Sequence, residues 1–301
     1  MTILTGTDRT LAQAISPDEG RLTVHCADRP GVVAAVATFL AERNANIIES
    51  DQTTTDPEGG PIFLRIVFRM PNLTAIIDEV REQFALTVVD PFDVDDWQIT
   101  QSAVPKRVAV MVSKYDHCLM ELLWRWRRGE LPINIGLVIS NHADLGPAVR
   151  SFGLSFVHIP VTKENKEAAE AEQLRLLKDN FDVVVMARYM QILSTTFLRD
   201  VGCPVINIHH SFLPAFIGAS PYAQAHARGV KLIGATAHYA TEDLDEGPII
   251  EQDVARVSHD DTVATLRRRG ADIERAVFVR AVQWHCEDRV LRRGNTTVVF
   301  A

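Results

Sequence analysis

The chain has little of what a nucleic-acid or membrane protein needs. Its 301 residues include 31 Lys and Arg against 39 Asp and Glu, which gives a formal charge of −8 at pH 7. Phosphate contacts require clustered basic side chains, so this acidic balance argues against a nucleic-acid partner. No apolar run is long enough to span a bilayer, and the segment Met1 to Ser16 lacks the pattern of a signal peptide. We therefore expect no membrane association.

Cysteine is also scarce. The four cysteines are widely spaced, and no two form a C-x-x-C pair: Cys26, Cys118, Cys203 and Cys286. Neither a zinc site nor a redox pair is indicated. Such spacing in a chain of this length is typical of reduced, mostly buried thiols in the cytosol, so we expect a cytoplasmic protein.

Common catalytic signatures are missing too. There is no G-x-G-x-x-G turn, P-loop lysine or G-x-S-x-G elbow, so no nucleotide and no serine nucleophile of that type is indicated. The pair His209-His210 has no third metal ligand at a recognisable spacing. We expect no metal and no cofactor.

The first part of the chain, residues 19–97, predicts the order β-α-β-β-α-β. The expected strands cover 21–26, 45–54, 62–69 and 86–89, and the expected helices cover 32–43 and 73–84. This is the split βαβ arrangement of ferredoxin-like domains. Residues 1–18 are expected to form a flexible N-terminus. Residues 98–106 are expected to form a connector, with a strand around Trp97 to Thr100.

From residue 107 to residue 301 short apolar strands alternate with helices. Four β-branched runs, at 108–112, 133–139, 183–186 and 205–208, suit strands buried on both faces of a parallel sheet. Helices are expected at 118–128 and 166–178, then strands at 232–240 and 249–254, and a closing helix at 261–289. The pattern predicts an α/β fold with a doubly wound, mostly parallel sheet.

The strand that ends at His209 carries the clearest chemical signal. Asn207 and His209 stand two residues apart, so strand alternation places both side chains on one face. Ligands bind at the carboxyl ends of strands in such sheets. An amide can donate to a developing oxyanion, and an imidazole can move a proton near neutral pH. Two polar residues that merely end a strand would look the same.

Two further stretches are candidates for the same site. The turn Thr241-Glu242-Asp243-Leu244-Asp245 is crowded with acids, and a carboxylate there could orient His209. An exposed acidic turn is the plainer interpretation. Residues 187–194 follow another buried strand and could wall a ligand pocket, or could simply lead into a helix that begins at Ser194.

At these three stretches the sequence resembles the folate-dependent formyltransferase family. The motifs are N-I-H-H-S-F-L-P, A-R-Y-M-Q-I-L-S and H-Y-A-T-E-D-L-D-E-G-P-I-I. The resemblance covers residues 106–301 and implies a Rossmann-like domain with Asn207, His209 and Asp245 as catalytic residues. It further implies that a folate lies against the following residues of the two candidate loops: Met190, Gln191, Ile192, Leu193, Thr241, Glu242 and Asp243.

The N-terminal part is similar to ACT domains, which are small-molecule-sensing modules. The resemblance is carried by the turn at the start of the first predicted helix, Asp28-Arg29-Pro30-Gly31. It implies that an amino-acid effector could bind at this turn and that the protein is a homo-oligomer. An ACT domain in front of a formyltransferase domain is the arrangement of formyltetrahydrofolate deformylases, which hydrolyse 10-formyltetrahydrofolate to formate and tetrahydrofolate.

The loop after the first strand of the second domain bears on the acceptor of the formyl group. The similar glycinamide ribonucleotide formyltransferases hold a sugar phosphate there with a Gly/Ser-rich loop, whereas residues 112–118 have no glycine and include Asp116. This favours water as the acceptor. A transferase and an inactive folate or amino-acid sensor are the alternatives. The sequence departs from the usual deformylase pattern at Ile217 and Ala223, where lysine and histidine are common.

Overall fold

The fold is described from a computed structural model that covers residues 16–56, 59–215 and 220–301. Three parts of the chain lie outside these ranges: the predicted flexible segment up to Ile15, residues 57 and 58, and residues 216–219, which include Ile217. The described chain forms two compact units. The N-terminal unit comprises residues 16–105, 287–291 and 298–301, and the second unit comprises 106–286 and 292–297. The sequence predicted a second domain that runs unbroken from 107 to 301.

The N-terminal unit is a four-stranded antiparallel sheet with helices. In chain order its elements are β1 (Glu19–Ala27), α1 (Val32–Ala41), β2 (Asn46–Thr54), β3 (Pro61–Arg69), α2 (Leu73–Phe84), a π-helical segment (Ala85–Val89), α3 (Asp90–Phe92) and β4 (Asp96–Gln101). The strand order is β2-β3-β1-β4, and every neighbouring pair is antiparallel. The predicted ferredoxin-like class is confirmed.

The last strand of this unit does not lie where the sequence predicted it. Residues 86–89 belong to the π-helical segment that continues α2, and β4 begins only at Asp96 and pairs with β1. A short apolar run cannot be told from a buried helical turn by periodicity alone. Here Val88 is buried in the same core cluster as Phe84 of α2, so packing on the helix side decides the outcome.

Within the described residues of the second unit, seven strands form one sheet. The elements are β5 (Lys106–Val112), α4 (His117–Arg127), β6 (Ile133–Ser140), α5 (Gly146–Ser151), β7 (Phe156–His158), α6 (Lys166–Leu177), β8 (Val183–Ala187), α7 (Thr195–Asp200), β9 (Val205–His209), α8 (Pro221–Arg228), β10 (Leu232–Tyr239), β11 (Ile249–Arg256) and α9 (Val263–Cys286). The strand order is β11-β10-β9-β8-β5-β6-β7. Strand β10 runs antiparallel to both of its neighbours, β9 and β11, and the other neighbouring pairs are parallel. The predicted mostly parallel sheet is confirmed.

The end of the chain differs from the prediction. The closing helix stops at Cys286, and two short strands follow, β12 (Val290–Arg293) and β13 (Thr296–Val299). The turn between them contains Gly294, whose φ of 53° lies in the left-handed region that glycine adopts without a steric cost. In the part of the chain that the structure describes, no helix combines the length and apolarity needed to cross a bilayer.

The packing of β9 explains which way its polar residues face. Val205 belongs to a core cluster with Met111 of β5, Val184 of β8 and Phe197 of α7. Side chains two apart on a strand share a face. Asn207 and His209 therefore face the same side of the sheet as this cluster, at the carboxyl end of the strand.

Candidate active site

The polar end of β9 is completed by its antiparallel neighbour β10. His238 lies directly opposite Asn207 in the ladder, and the Asn207 Nδ2 to His238 Nε2 distance is 3.2 Å. The turn after β10 then brings Asp245 to His209, with 3.2 Å between His209 Nδ1 and Asp245 Oδ1. The three residues that the resemblance implied, together with His238, thus form one polar group.

The turn that carries Asp245 has an unusual backbone. Asp245 has a φ of 59°, which is uncommon for a residue with a Cβ. Two residues later Gly247 lies against β10, and a Cβ there would overlap the carbonyl oxygen of Tyr239. The sequence E-G-P therefore permits a tight return to the strand, and this return holds the Asp245 carboxylate beside His209.

The electrostatics of the pair favour a carboxylate on Asp245. Burial raises the pKa of this carboxyl, but the hydrogen bond from His209 and the nearby imidazoles of His209 and His238 outweigh it, so the pKa is lowered overall. The ionised Asp245 accepts the hydrogen bond from Nδ1–H of His209. The other ring nitrogen of His209, Nε2, is buried and has no partner among the described residues. A substrate atom could therefore use it.

These polar groups lie in a cleft of about 310 Å³ with a largely apolar wall. Six of the seven folate-contact residues implied by the resemblance line it: Met190, Gln191, Ile192, Leu193, Thr241 and Glu242. Asp243 is exposed and does not line the cleft; its carbonyl accepts a hydrogen bond from the Thr241 hydroxyl. Nine further residues line the cleft, and the sequence had given none of them an individual role in binding: Met186, Arg188, Tyr189, Leu198, Ile208, His210, His238, Ala240 and Leu244.

The loop after β8 is strained where it meets the cleft. Arg188 and Met190 have φ values of 62° and 53°, both in the left-handed region. Such conformations cost of order 1–3 kcal/mol each and cluster at binding and active sites. Met190 is half exposed at the cleft although it is a large apolar residue. An exposed apolar wall beside buried polar groups is the usual make-up of a small-molecule site.

Behind the cleft a buried ion-pair cluster surrounds Glu274 of α9. One carboxylate oxygen accepts hydrogen bonds from His117 (2.7 Å) and Arg188 (3.0 Å), and the other accepts one from the Tyr222 hydroxyl (2.6 Å). Arg188 also lies over the ring of Tyr115. Burial and the charge of Arg188 lower the pKa of the adjacent His210 to about 3, so this imidazole is neutral.

Part of this cluster has the residue types of a metal site. Among the described residues, ligand-type atoms of His117, Cys118 and Glu274 lie within 4.8 Å of one another. However, the Arg188 guanidinium already forms an ion pair with the Glu274 carboxylate, which a metal cation would need as a ligand. Burial also raises the pKa of the Cys118 thiol well above its ordinary value, which opposes the thiolate form that binds metals. The cluster fits an ion-pair role and not a metal site.

The loop after β5 is tied to this cluster. The Ser113 hydroxyl lies within hydrogen-bond distance of the Asn141 side-chain oxygen and of the Tyr189 carbonyl, and His117 is hydrogen-bonded to Glu274. These contacts engage polar side chains of the loop within the protein, and the loop contains no glycine. The position therefore does not resemble an anion site built from glycines at a helix start.

The suggested effector turn belongs to the N-terminal unit. Gly31 caps α1 with a φ of 100°, and the backbone N–H of Asp28 donates to the carbonyl of Gly60. Arg29 donates to the carbonyl of Pro91 and lies over the ring of Phe92. These contacts order the turn, while a ligand there stays a prediction.

Comparison with known proteins agrees with both halves of the fold. The family described as Formyl transferase matches residues 106–282, and the ACT domain family matches residues 20–85. A formyltetrahydrofolate deformylase of Mycobacterium bovis is 59% identical over 283 residues, which cover 94% of this chain and 91% of the relative. The corresponding protein of Bacillus subtilis is 51% identical and covers 94% of each chain.

Solved structures show the same relationship. The crystal structure of a formyltetrahydrofolate deformylase from Pseudomonas syringae pv. tomato has a TM-score of 0.89 at 48% identity, with 94% of each chain covered. A glycinamide ribonucleotide transformylase from Symbiobacterium toebii has a TM-score of 0.60 at 32% identity, and covers 65% of this chain and 95% of its own. Because the deformylases match both units over nearly the whole length, the chain belongs to the formyltetrahydrofolate deformylase family.

Proposed function

We propose that this protein hydrolyses 10-formyltetrahydrofolate to formate and tetrahydrofolate, and so supplies formate for purine biosynthesis and balances the one-carbon pool. The observation that carries the proposal is the group Asn207, His209 and Asp245 at the floor of an apolar cleft, in a chain whose deformylase relatives match it over 94% of its length.

In the proposed mechanism the folate ring lies against the cleft wall formed by Met190, Ile192 and Leu193, with the formyl group beside Asn207 and His209. The oxygen of a water molecule attacks the formyl carbon, and a tetrahedral intermediate with a negative oxygen forms. The amide of Asn207 and Nε2–H of protonated His209 donate to that oxygen. Asp245 orients His209 through its Nδ1 and stabilises the imidazolium.

Collapse of the intermediate breaks the bond between the formyl carbon and N10 of the folate. The electron pair of that bond goes to N10, which takes one of the two protons of the attacking water. The other proton is released to the solvent, and the former formyl group leaves as formate. The water supplies the oxygen and hydrogen that the two products gain. No step uses a metal, a cofactor or a covalent enzyme intermediate.

Water is the proposed acceptor because the loop after β5 lacks a phosphate site. Its side chains at Ser113 and His117 are engaged with Tyr189 and Glu274, and Asp116 would repel a phosphate. This loop therefore does not favour the phosphate of a phosphorylated amine.

The proposal has three finer parts. The protein works in the cytoplasm, in keeping with the buried thiols of Cys26 and Cys118. It is a homo-oligomer, and the ACT domain binds an amino-acid effector at the turn from Asp28 to Gly31. The effector proposal is tested by measuring the rate of formate release while single amino acids are titrated into the assay. If no amino acid changes that rate, the effector proposal is wrong.

The decisive assay mixes the purified protein with 10-formyltetrahydrofolate alone and measures formate. We expect formate without an added amine, and a loss of roughly 10²–10³-fold in kcat for Asp245→Asn or Asn207→Ala. Formate release that requires an amine would favour the transferase alternative. A protein that binds the folate but releases no formate would favour the sensor. Asp243→Asn is the control, because Asp243 lies outside the cleft and its loss should leave kcat unchanged.

A further inference from the structure

His238 is a buried histidine that touches two of the proposed catalytic residues. It is 2% exposed, and its Nε2 lies 3.2 Å from Asn207 Nδ2 and 3.8 Å from Asp245 Oδ1. Its Nδ1 lies 3.0 Å from the carbonyl oxygen of Tyr239. The inference that follows rests on the proposed function.

The carbonyl contact decides where the proton of His238 is. A carbonyl oxygen only accepts hydrogen bonds, so Nδ1 must carry the proton that it donates to Tyr239. In a neutral ring Nε2 is then an acceptor. Burial lowers the pKa of His238. This effect outweighs the carbonyl of Tyr239 and the carboxylate of Asp245, which both raise the pKa, so the ring is neutral at neutral pH.

An acceptor at Nε2 also decides how the Asn207 amide is turned. Its nitrogen, rather than its oxygen, must face His238, since the oxygen cannot donate. One N–H of the amide is thereby used, and the same nitrogen carries a second hydrogen. Asn207 lines the cleft, so this second N–H is available to an oxygen of the substrate.

We propose that His238 is a positioning residue for the hydrolysis: it accepts a hydrogen bond from Asn207 and thereby presents the second N–H of that amide to the formyl oxygen. Both ring nitrogens of His238 already have partners, so it does not act as a general acid, a general base or a metal ligand. A site whose donors are held in place before the reaction avoids the cost of reorganising them.

Protonation of His238 would undo this arrangement. The charged groups that face it are Asp245 and His209, and its other partner is the carbonyl of Tyr239. A protonated Nε2 would donate to Asp245 and could no longer accept from Asn207, so the amide would turn its oxygen toward the ring. Because the folded-state pKa is below the ordinary value of 6.5, the correct orientation persists at neutral pH and is lost as the pH falls through that lowered value.

Two substitutions separate positioning from packing. His238→Phe keeps a ring of similar shape but removes the acceptor, and we expect kcat to fall about 10²-fold while KM for the folate stays within about threefold. His238→Gln retains an acceptor oxygen and should recover a large part of that loss. His285→Phe is the matched control, because His285 contacts the Tyr239 hydroxyl on the same strand and does not line the cleft.

A double-mutant cycle tests whether His238 acts through Asn207. In an Asn207→Ala background, His238→Phe should cause no further loss in kcat, because the group that it positions is already gone. Losses that multiply in the double variant would overturn the proposal, and so would full activity of His238→Phe. Thermal melts verify that each variant folds; if His238→Phe does not, the cycle is run with His238→Leu.

A measurement without turnover separates this inference from the proposed function. In NMR spectra the side-chain amide of Asn207, assigned by its loss in Asn207→Ala, should shift in the His238 variants and should titrate together with the His238 ring below pH 6.5. An Asn207 amide that responds to neither change would overturn the positioning role even if formate is released. If no formate is released, the proposed function fails, and the amide shift still reports whether His238 orients Asn207.

Discussion

Glu274 is a buried carboxylate with both oxygens in use. It is 1% exposed and accepts hydrogen bonds from His117, Arg188 and Tyr222. Burial alone raises the pKa of a carboxyl, but the hydrogen bond from His117 and the charge of Arg188 outweigh it, so the pKa of Glu274 is lowered. Glu274 is the counter-charge of the buried Arg188 guanidinium, and a buried charge without a counter-charge is costly.

Replacement of Glu274 by Gln should therefore destabilise the protein strongly. Removal of one partner from a buried ion pair costs roughly 3–5 kcal/mol, mainly because the other charge stays buried and unpaired. Urea unfolding should show a lower midpoint for Glu274→Gln. In the matched control, Glu172→Gln removes an exposed partner of Arg175 and should leave the midpoint unchanged.

The pH dependence of this difference has a definite sign. The folded-state pKa of Glu274 lies below the ordinary value of 4.5, so its stabilising effect is complete above pH 4.5 and is lost as the pH falls through the lowered value. The midpoint difference between wild type and Glu274→Gln should be constant from pH 6 to pH 8. A difference that disappears within that range would contradict the ion-pair interpretation.

Among the individual residues of the site, the sequence predicted some and not others. Strand alternation alone placed Asn207 and His209 on one face, and both residues do lie on one face of β9. Asp245 stood among other acids in one turn, and only the family resemblance selected it, because its approach to His209 depends on the left-handed backbone at that residue. The role of His238 stayed open, because its contact with Asn207 depends on the register between β9 and β10, which local sequence does not specify.

At the scale of elements, the sequence specified most helices and strands of the fold, because their periodicity agrees with their burial. Leu73–Phe84 and Val183–Ala187 are examples. The failures have a common cause. Residues 86–89 and the strands after Cys286 are short, and short segments take the structure that their neighbours impose.

The contact between α8 and α9 depends on one glycine. Gly270 lies one turn before Glu274, and a Cβ there would overlap the hydroxyl and ring of Tyr222. The absence of a side chain lets the Tyr222 hydroxyl reach the Glu274 carboxylate. This explains why a helix interior tolerates glycine, which costs about 1 kcal/mol relative to alanine.

Gly270→Ala should therefore destabilise the protein by roughly 1–3 kcal/mol, although alanine is the better helix former. Urea midpoints measure the effect. The same substitution in a Tyr222→Ala background should be neutral or stabilising by up to about 1 kcal/mol, because the overlap is gone. Equal effects of Gly270→Ala in both backgrounds would show that Tyr222 is not the cause.

At the scale of the whole molecule, the chain does not divide into its two units by a single cut. Residues 287–291 and 298–301 group with the N-terminal unit, although nearly all of the second unit precedes them in the sequence. Asp288 is 4% exposed and accepts hydrogen bonds from Gln98 (3.0 Å) and Thr100 (2.7 Å) of β4, and it lies 3.5 Å from the guanidinium of Arg21 in β1. No local pattern in the sequence indicates this long-range pairing.

Loss of the Asp288 carboxylate should accordingly weaken the N-terminal unit rather than the seven-stranded sheet of the second unit. Asp288→Asn removes the negative charge beside the buried Arg21 and weakens the acceptor of the Gln98 and Thr100 hydrogen bonds, and we expect a cost of roughly 1–3 kcal/mol. Hydrogen exchange of the amides of β1 and β4 should accelerate, while that of β5 and β8 stays as in wild type. Asp253→Asn is the control, because it makes the same chemical change in the exposed ion pair between Asp253 and Arg280. Exposed ion pairs contribute only about 0–1 kcal/mol, so hydrogen exchange in β1 and β4 should stay as in wild type. Unchanged exchange in β1 and β4 of Asp288→Asn would mean that the C-terminal segment does not support the N-terminal sheet.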